Sequence, residues 1–223
     1  MISSNLVGFI DRSLIQPFET VHKQKGVTYS KVGFRIYGSV FPLVIPDSVL
    51  GDLEGKCRVR AAYFSEKKGS HTYSYLRGIS IEKITEEDDA ASGIEGGVPC
   101  CGDIRVRGTV RVKNPMRTTA NGREVIVFYV VMYHDSPKPT IVPCVAKGGK
   151  AVECSALKEG DTVELDGTVK FNDYRQADGS PNLTCSLELL VKSIIVHIPK
   201  NGQGSPRALA SLKAQLLPPT PTE

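Results

Sequence analysis

Residues 85–99, TEEDDAASGIEGGVP, constrain the fold most, because they cannot belong to a core. They hold five acids, three glycines and a proline, with no base. A segment so poor in apolar surface reads as a flexible acidic linker. It divides the chain into an N-terminal unit, 1–84, and a C-terminal unit, 100–198, followed by a tail, 199–223. Each unit has the length of a small domain.

Both units read as short strands separated by turn signals. In the first, strands are expected at Leu6–Ile15, Val27–Val40, Phe41–Ile45, Cys57–Phe64 and Tyr75–Ile84. In the second they are expected at Ile104–Lys113, Glu124–His134, Thr140–Ala146, Thr162–Asn172 and Thr184–Val196. Asn121-Gly122 suits a tight hairpin. Local matches recur in the same order. GFI at 8–10 faces GTV at 108–110, LEGKCRVRAAYF at 53–64 faces LKEGDTVELDGTVKF at 157–171, and LRGISIEKI at 76–84 faces LELLVKSII at 187–195. Together they support an internal duplication. Five short strands, with a brief helical or turn segment after the third, make an OB-fold, a five-stranded Greek-key barrel. The expected fold class is all-β: two tandem OB-fold barrels and a short C-terminal amphipathic helix. That helix would be capped by Ser205, start at Pro206, carry Leu209, Leu212 and Leu216 on one stripe, and stop before Pro218.

One segment, ALKEGDTVELDGTVKFNDYRQADGSPNLTCSLELLVKSIIV (156–196), resembles the second half of bacterial-type single-stranded DNA-binding proteins. GTVRVKNPMRTTANGREVIVFYVVMYHD (108–135) is similar to their first half, and the N-terminal unit carries a fainter likeness. The chain differs from that family in having no tryptophan, in carrying two such units, and in ending LPPTPTE rather than in an acidic, Phe-terminated tip. The resemblance implies a non-enzymatic protein that coats unpaired DNA during replication, recombination or transfer.

The strand faces fit that expectation. An OB-fold binds nucleic acid around its second and third strands, between the loops joining strands 1–2 and 4–5. Bases need flat rings to stack on, and phosphates need cations. Alternation in Val27–Val40 puts Val32, Phe34 and Ile36 on one face, and Tyr29, Lys31, Gly33, Arg35 and Tyr37 on the other. The second face reads either as a base-stacking shelf or as two tyrosines packed on a neighbouring strand. His22, Lys23 and Lys25 lie in the first loop, Arg58 and Arg60 on the fourth strand, and Lys67, Lys68, His71, Tyr73 and Tyr75 in or near the next hairpin. Residues 1–84 hold 12 bases against 7 acids and ten of the fifteen aromatics, which favours this unit for binding.

In the C-terminal unit, Arg105, Arg107, Arg111 and Lys113 alternate along one strand, as a phosphate track or as a charged edge. Glu124–His134 is apolar on both faces, so Val125, Val127, Tyr129, Val131 and Tyr133 need a cover: stacked bases on the tyrosines, or a second subunit. Arg117, Arg123, Tyr174 and Arg175 border the expected groove.

The sequence contains no GxxxxGK[ST], HExxH or GxSxG motif, its four histidines are scattered, and no enzyme is expected. The six cysteines form no CxxC pair and read as reduced thiols, so no metal or other cofactor is expected. No stretch approaches the roughly 20 apolar residues of a membrane span, nor does the N-terminus read as a secretion signal; a cytoplasmic location follows. The expected partners are single-stranded DNA, a second copy through the second barrel, and replication or recombination proteins through the C-terminal helix. An assembly subunit and an RNA-binding module are the alternatives.

Overall fold

The structure is a computed structural model that describes residues 3–20, 24–37, 39–51, 53–68, 71–95, 97–133, 139–172 and 186–200. Among them, no helix is long and apolar enough to cross a membrane.

The first barrel is built of β1 (Ser3–Pro17), β2 (Tyr29–Ile36), β3 (Ser39–Pro46), β4 (Gly55–Lys68) and β5 (His71–Lys83), with a short helix α1 (Asp47–Leu50) between β3 and β4. The order is β2-β3-β5-β4-β1, and a β1–β2 pairing closes it. The second barrel repeats this plan with β6 (Cys101–Lys113), β8 (Glu124–Met132), β9 (Thr140–Lys147), β10 (Thr162–Asn172) and β11 (Ser186–Ile198). Helix α3 (Gly149–Ser155) stands between β9 and β10, and a β6–β8 pairing closes the barrel. Both have one parallel contact, β3 with β5 and β9 with β11. The two barrels are OB-folds.

Alternation explains the cores. Val32, Phe34 and Ile36 of β2, and Ile126, Phe128 and Val130 of β8, point inward and are at most 2% exposed. Gly8 and Gly108 occupy matching places on β1 and β6. A side chain on either would run into a backbone carbonyl, that of Arg35 or of Val131. Glycine there lets the first strand bend against the second to close each barrel. The GFI/GTV match therefore reflects a shared steric need. The C-terminal match is shifted: the parallel pairs place Leu76 opposite Leu43 and Leu189 opposite Cys144, so Leu76 corresponds to Leu189 rather than to Leu187.

β1 also pairs antiparallel with β6, Ser3 facing Arg105 and Val7 facing Cys101, which merges both barrels into one continuous sheet. One apolar core runs through both. The long β4–β5 hairpin reaches onto the second barrel: the Tyr63 hydroxyl donates to the Leu187 carbonyl at 2.6 Å, and the Ile141 amide donates to Ser65 Oγ at 2.7 Å.

Two expectations change. The linker contains a helix, α2 (Glu86–Ala91). Thr85 and Asp88 form a capping box at its start, where four acids in the first turn suit the helix dipole. Asp89 then accepts from Lys56 Nζ at 2.9 Å and from the Val98 amide at 2.9 Å, tying the segment back onto the first barrel. Val27–Val40 is not one strand either: Tyr37, with φ 50°, turns the chain between β2 and β3, so Val40 belongs to β3. The Asn121-Gly122 turn fits, with Gly122 at φ 71° between β7 (Arg117–Thr118) and β8.

Candidate nucleic-acid interface

The outward side chains of β8 are Val125, Val127, Tyr129 and Val131, since its inward set is core. Across the pairing, Val125 faces Lys147, Val127 faces Val145 and Tyr129 faces Pro143 of β9. Beyond β9 lies β11, where Leu190 sits beside Val145, and on β10 Lys170 faces Glu188. β7 folds over the other side, with Arg117 opposite Val125.

Between these strands lies an open groove of about 280 Å³. Its floor is Val125, Val127, Val145 and Leu190. Arg117, Lys147 and Lys170 supply three cations, and Glu188 one carboxylate. An apolar floor between cations accommodates a polyanion whose neutral rings turn inward. Just past the groove, half-buried Tyr129 faces exposed Arg111 of β6. Tyr133, 68% exposed, ends the same face.

The same location on the first barrel is filled. Tyr29, Val44, Ala62, Phe64 and Tyr75 form a second buried cluster, with Phe18 and Val27 packed against it. Phe64 and Tyr75 stack at 5.8 Å between ring centroids, and Phe18 meets Tyr75 edge-on at 5.0 Å. The Arg77 guanidinium lies 4.0 Å above the Phe64 ring. The Tyr75 hydroxyl shares a hydrogen bond with Thr20, and burial pushes its pKa up to about 12.

In overall architecture the chain is similar to two structures of one bacterial protein, the single-stranded DNA-binding protein from Thermus aquaticus. A deletion mutant matches with a TM-score of 0.64 at 13% identity, covering 87% of this chain and 93% of that one. The wild type matches at 0.61 and 13%, covering 87% and 91%. This chain has the fold of that DNA-binding protein. At the sequence level no family model matches the chain, and no curated protein aligns with it significantly.

Within this two-barrel fold the sequence-predicted residues scatter. Tyr29, expected on an open shelf, and Tyr75, expected in a DNA-contacting hairpin, are 5% and 2% exposed, because the chain around Phe18, Thr20 and Val27 covers them. Of that shelf, Lys31 is half-buried, Arg35 is exposed but held 3.3 Å from Asp11, and Tyr37 is 70% exposed. Hydrogen bonds from Ser13, and then the Arg35 charge, keep the Asp11 carboxyl below its usual range. Arg58 lies 3.6 Å from Glu82, Arg60 is exposed, and Tyr73 is half-buried on the hairpin.

The expected arginine track on β6 is broken by acids from β10: Arg105 is 3.8 Å from both Glu164 and Asp166, and Arg107 faces Glu164 in register. Lys113 donates instead to the Ser155 and Leu157 carbonyls, closing α3 onto the barrel. Arg111, Arg117 and Tyr129 come together at or beside the groove, and Arg123 is exposed in the β7–β8 loop. Tyr174, Arg175, His22, Lys23, His134 and the C-terminal helix lie outside the described residues, as do the side chains of Lys67, Lys68 and His71.

Lys147, Lys170 and Glu188 were not singled out by sequence reasoning, although each is a lone charge on an otherwise apolar or alternating strand end. The signal was their parity: each shares the outward phase of its strand.

Proposed function

We propose that this chain binds single-stranded DNA in a sequence-tolerant manner and coats and protects unpaired strands during replication, recombination or transfer. The carrying observation is the second-barrel groove, with its apolar floor between Arg117, Lys147 and Lys170. Sharing a two-barrel fold with a single-stranded DNA-binding protein supports the same reading. Phosphates pair with the three cations, while bases rest on the valine floor and stack on Tyr129 and Tyr133. Each such stack contributes about 1–3 kcal/mol without selecting a base. Duplex DNA is disfavoured because its bases are already stacked on one another and cannot turn onto the floor.

The test is fluorescence anisotropy with labelled oligo-dT, oligo-rU and duplex DNA across a salt series. Oligo-dT should bind more tightly than duplex. Three phosphate contacts at about 0.7 released counterions each predict a log–log salt slope near −2. Equal affinity for duplex and single strand, or a flat salt response, overturns the proposal. Tighter binding of oligo-rU than oligo-dT transfers the same groove to RNA.

A further inference from the structure

The groove holds one residue that phosphate binding does not explain. Glu188 lines it together with Lys147 and Lys170, yet a carboxylate repels phosphate. Several other acids of this barrel have cation partners: Arg105 serves Glu164 and Asp166, Lys192 reaches Asp103 at 2.6 Å, and His197 reaches Asp161 at 2.7 Å. Glu188 makes no ion pair within 4.0 Å among the described residues, although Lys170 faces it across the strand pair. It is half-buried beside the apolar floor. A charge placed there, unclaimed by any described residue, is available to a ligand.

Resting on the reading of the groove as a single-strand site, we propose that Glu188 is a specificity-determining residue favouring bases that carry an exocyclic amine. A carboxylate only accepts hydrogen bonds. Cytosine and adenine present an amino group on the edge freed in a single strand, and glutamate accepts from the cytosine amine. Guanine presents two parallel N–H donors, matching both carboxylate oxygens. Thymine and uracil offer a single N–H flanked by two carbonyl oxygens, which a carboxylate repels. The apolar floor accepts any ring; Glu188 grades them.

The experiment measures labelled oligo-dC and oligo-dT affinities for the full chain, for Glu188→Ala, and for the isosteric Glu188→Gln. Wild type should prefer oligo-dC by roughly fivefold or more, the low end for one good base contact. Glu188→Ala should bring that ratio close to one, with oligo-dT binding tightening as repulsion of phosphate disappears. Glu188→Gln, which keeps the shape and loses the charge, should fall between. Equal wild-type affinities, or a ratio unmoved in both variants, overturns the role of Glu188 and leaves the groove in place. Failure of wild type to bind either oligonucleotide overturns the groove and this inference together.

Discussion

The two barrels are copies in backbone and opposites in what they do with one surface. The parallel contacts fix the correspondence: Val44 matches Val145, and Arg77 matches Leu190. Counting outward along the ladders, Tyr75 matches Glu188, Phe64 matches Lys170, Tyr29 matches Val125 and Pro46 matches Lys147. Where the second barrel carries Glu188, Lys170 and Val125 around a groove, the first carries three aromatic rings that fill it. The first barrel then seals them with Phe18 and Val27, and fastens Tyr75 through Thr20. Five of these six matched positions differ, and three of the differences place the rings that turn an open site into a second small core. The long hairpin that would flank that site is also committed, holding the second barrel through Tyr63 and Ser65. The repeated plan thus holds one barrel that braces and one that remains open.

The largest way to break this contrast is to empty the filled side. Phe64 is 3% exposed, stacked on Tyr75 and covered by Arg77. Phe64→Ala should lower stability by about 3–5 kcal/mol in urea unfolding, the usual cost of deleting a buried phenyl ring. Oligo-dT affinity under native conditions should change less than twofold. A variant with normal stability and lost affinity would return the binding site to the first barrel.

The converse substitution sharpens the contrast from the open side. Lys147 and Lys170 are both exposed, so removing them costs little packing. The Lys147→Ala, Lys170→Ala double variant should weaken oligo-dT binding at least tenfold, which is about 1.4 kcal/mol. Its salt slope should flatten by roughly 1.4, at about 0.7 per lost phosphate contact. The urea midpoint should stay where it was. A steep slope retained in this variant would place the phosphates elsewhere.

Much of the fold was legible because barrels of short strands write their period into the sequence. The inward triplets Val32, Phe34, Ile36 and Ile126, Phe128, Val130 alternate cleanly. The site was legible only in part. Alternation assigns Tyr29 to the outer face correctly, but an outer face is not an exposed one: Phe18 and Val27 pack back over it, a tertiary event without a local signature. Arg105 failed for a similar reason, because its neutralising acids arrive from β10, about sixty residues further along the chain. Composition misled too. The first unit's surplus of aromatics, taken as a binding signature, is what fills its own groove. The acidic 85–99 segment hid a capping box, since Thr85 and Asp88 at that spacing order a helix start whatever the surrounding charge.

The smallest effect concerns how each barrel leads into its fourth strand. The second barrel uses Asp161, almost fully buried, where the first has Gly55 at φ 84°. Burial by itself would raise the Asp161 carboxyl. The Lys158 amide at 2.9 Å, the His197 ring at 2.7 Å and the Lys200 amide at 3.0 Å together outweigh it and hold the pKa below its ordinary 3.8. A depressed carboxylate stabilises the folded state above its unfolded pKa, and that contribution fades as pH falls through the lower, folded value. Asp161→Asn keeps the shape but loses the charge, and should cost about 1 kcal/mol at pH 7, the scale of one net hydrogen bond. Urea unfolding of both proteins from neutral pH down to about pH 3 should show the gap narrowing below the ordinary carboxylate range. A gap that persists undiminished in acid would mean that Asp161 holds the second barrel by shape, leaving no electrostatic difference between the turns that precede the fourth strand in the two barrels.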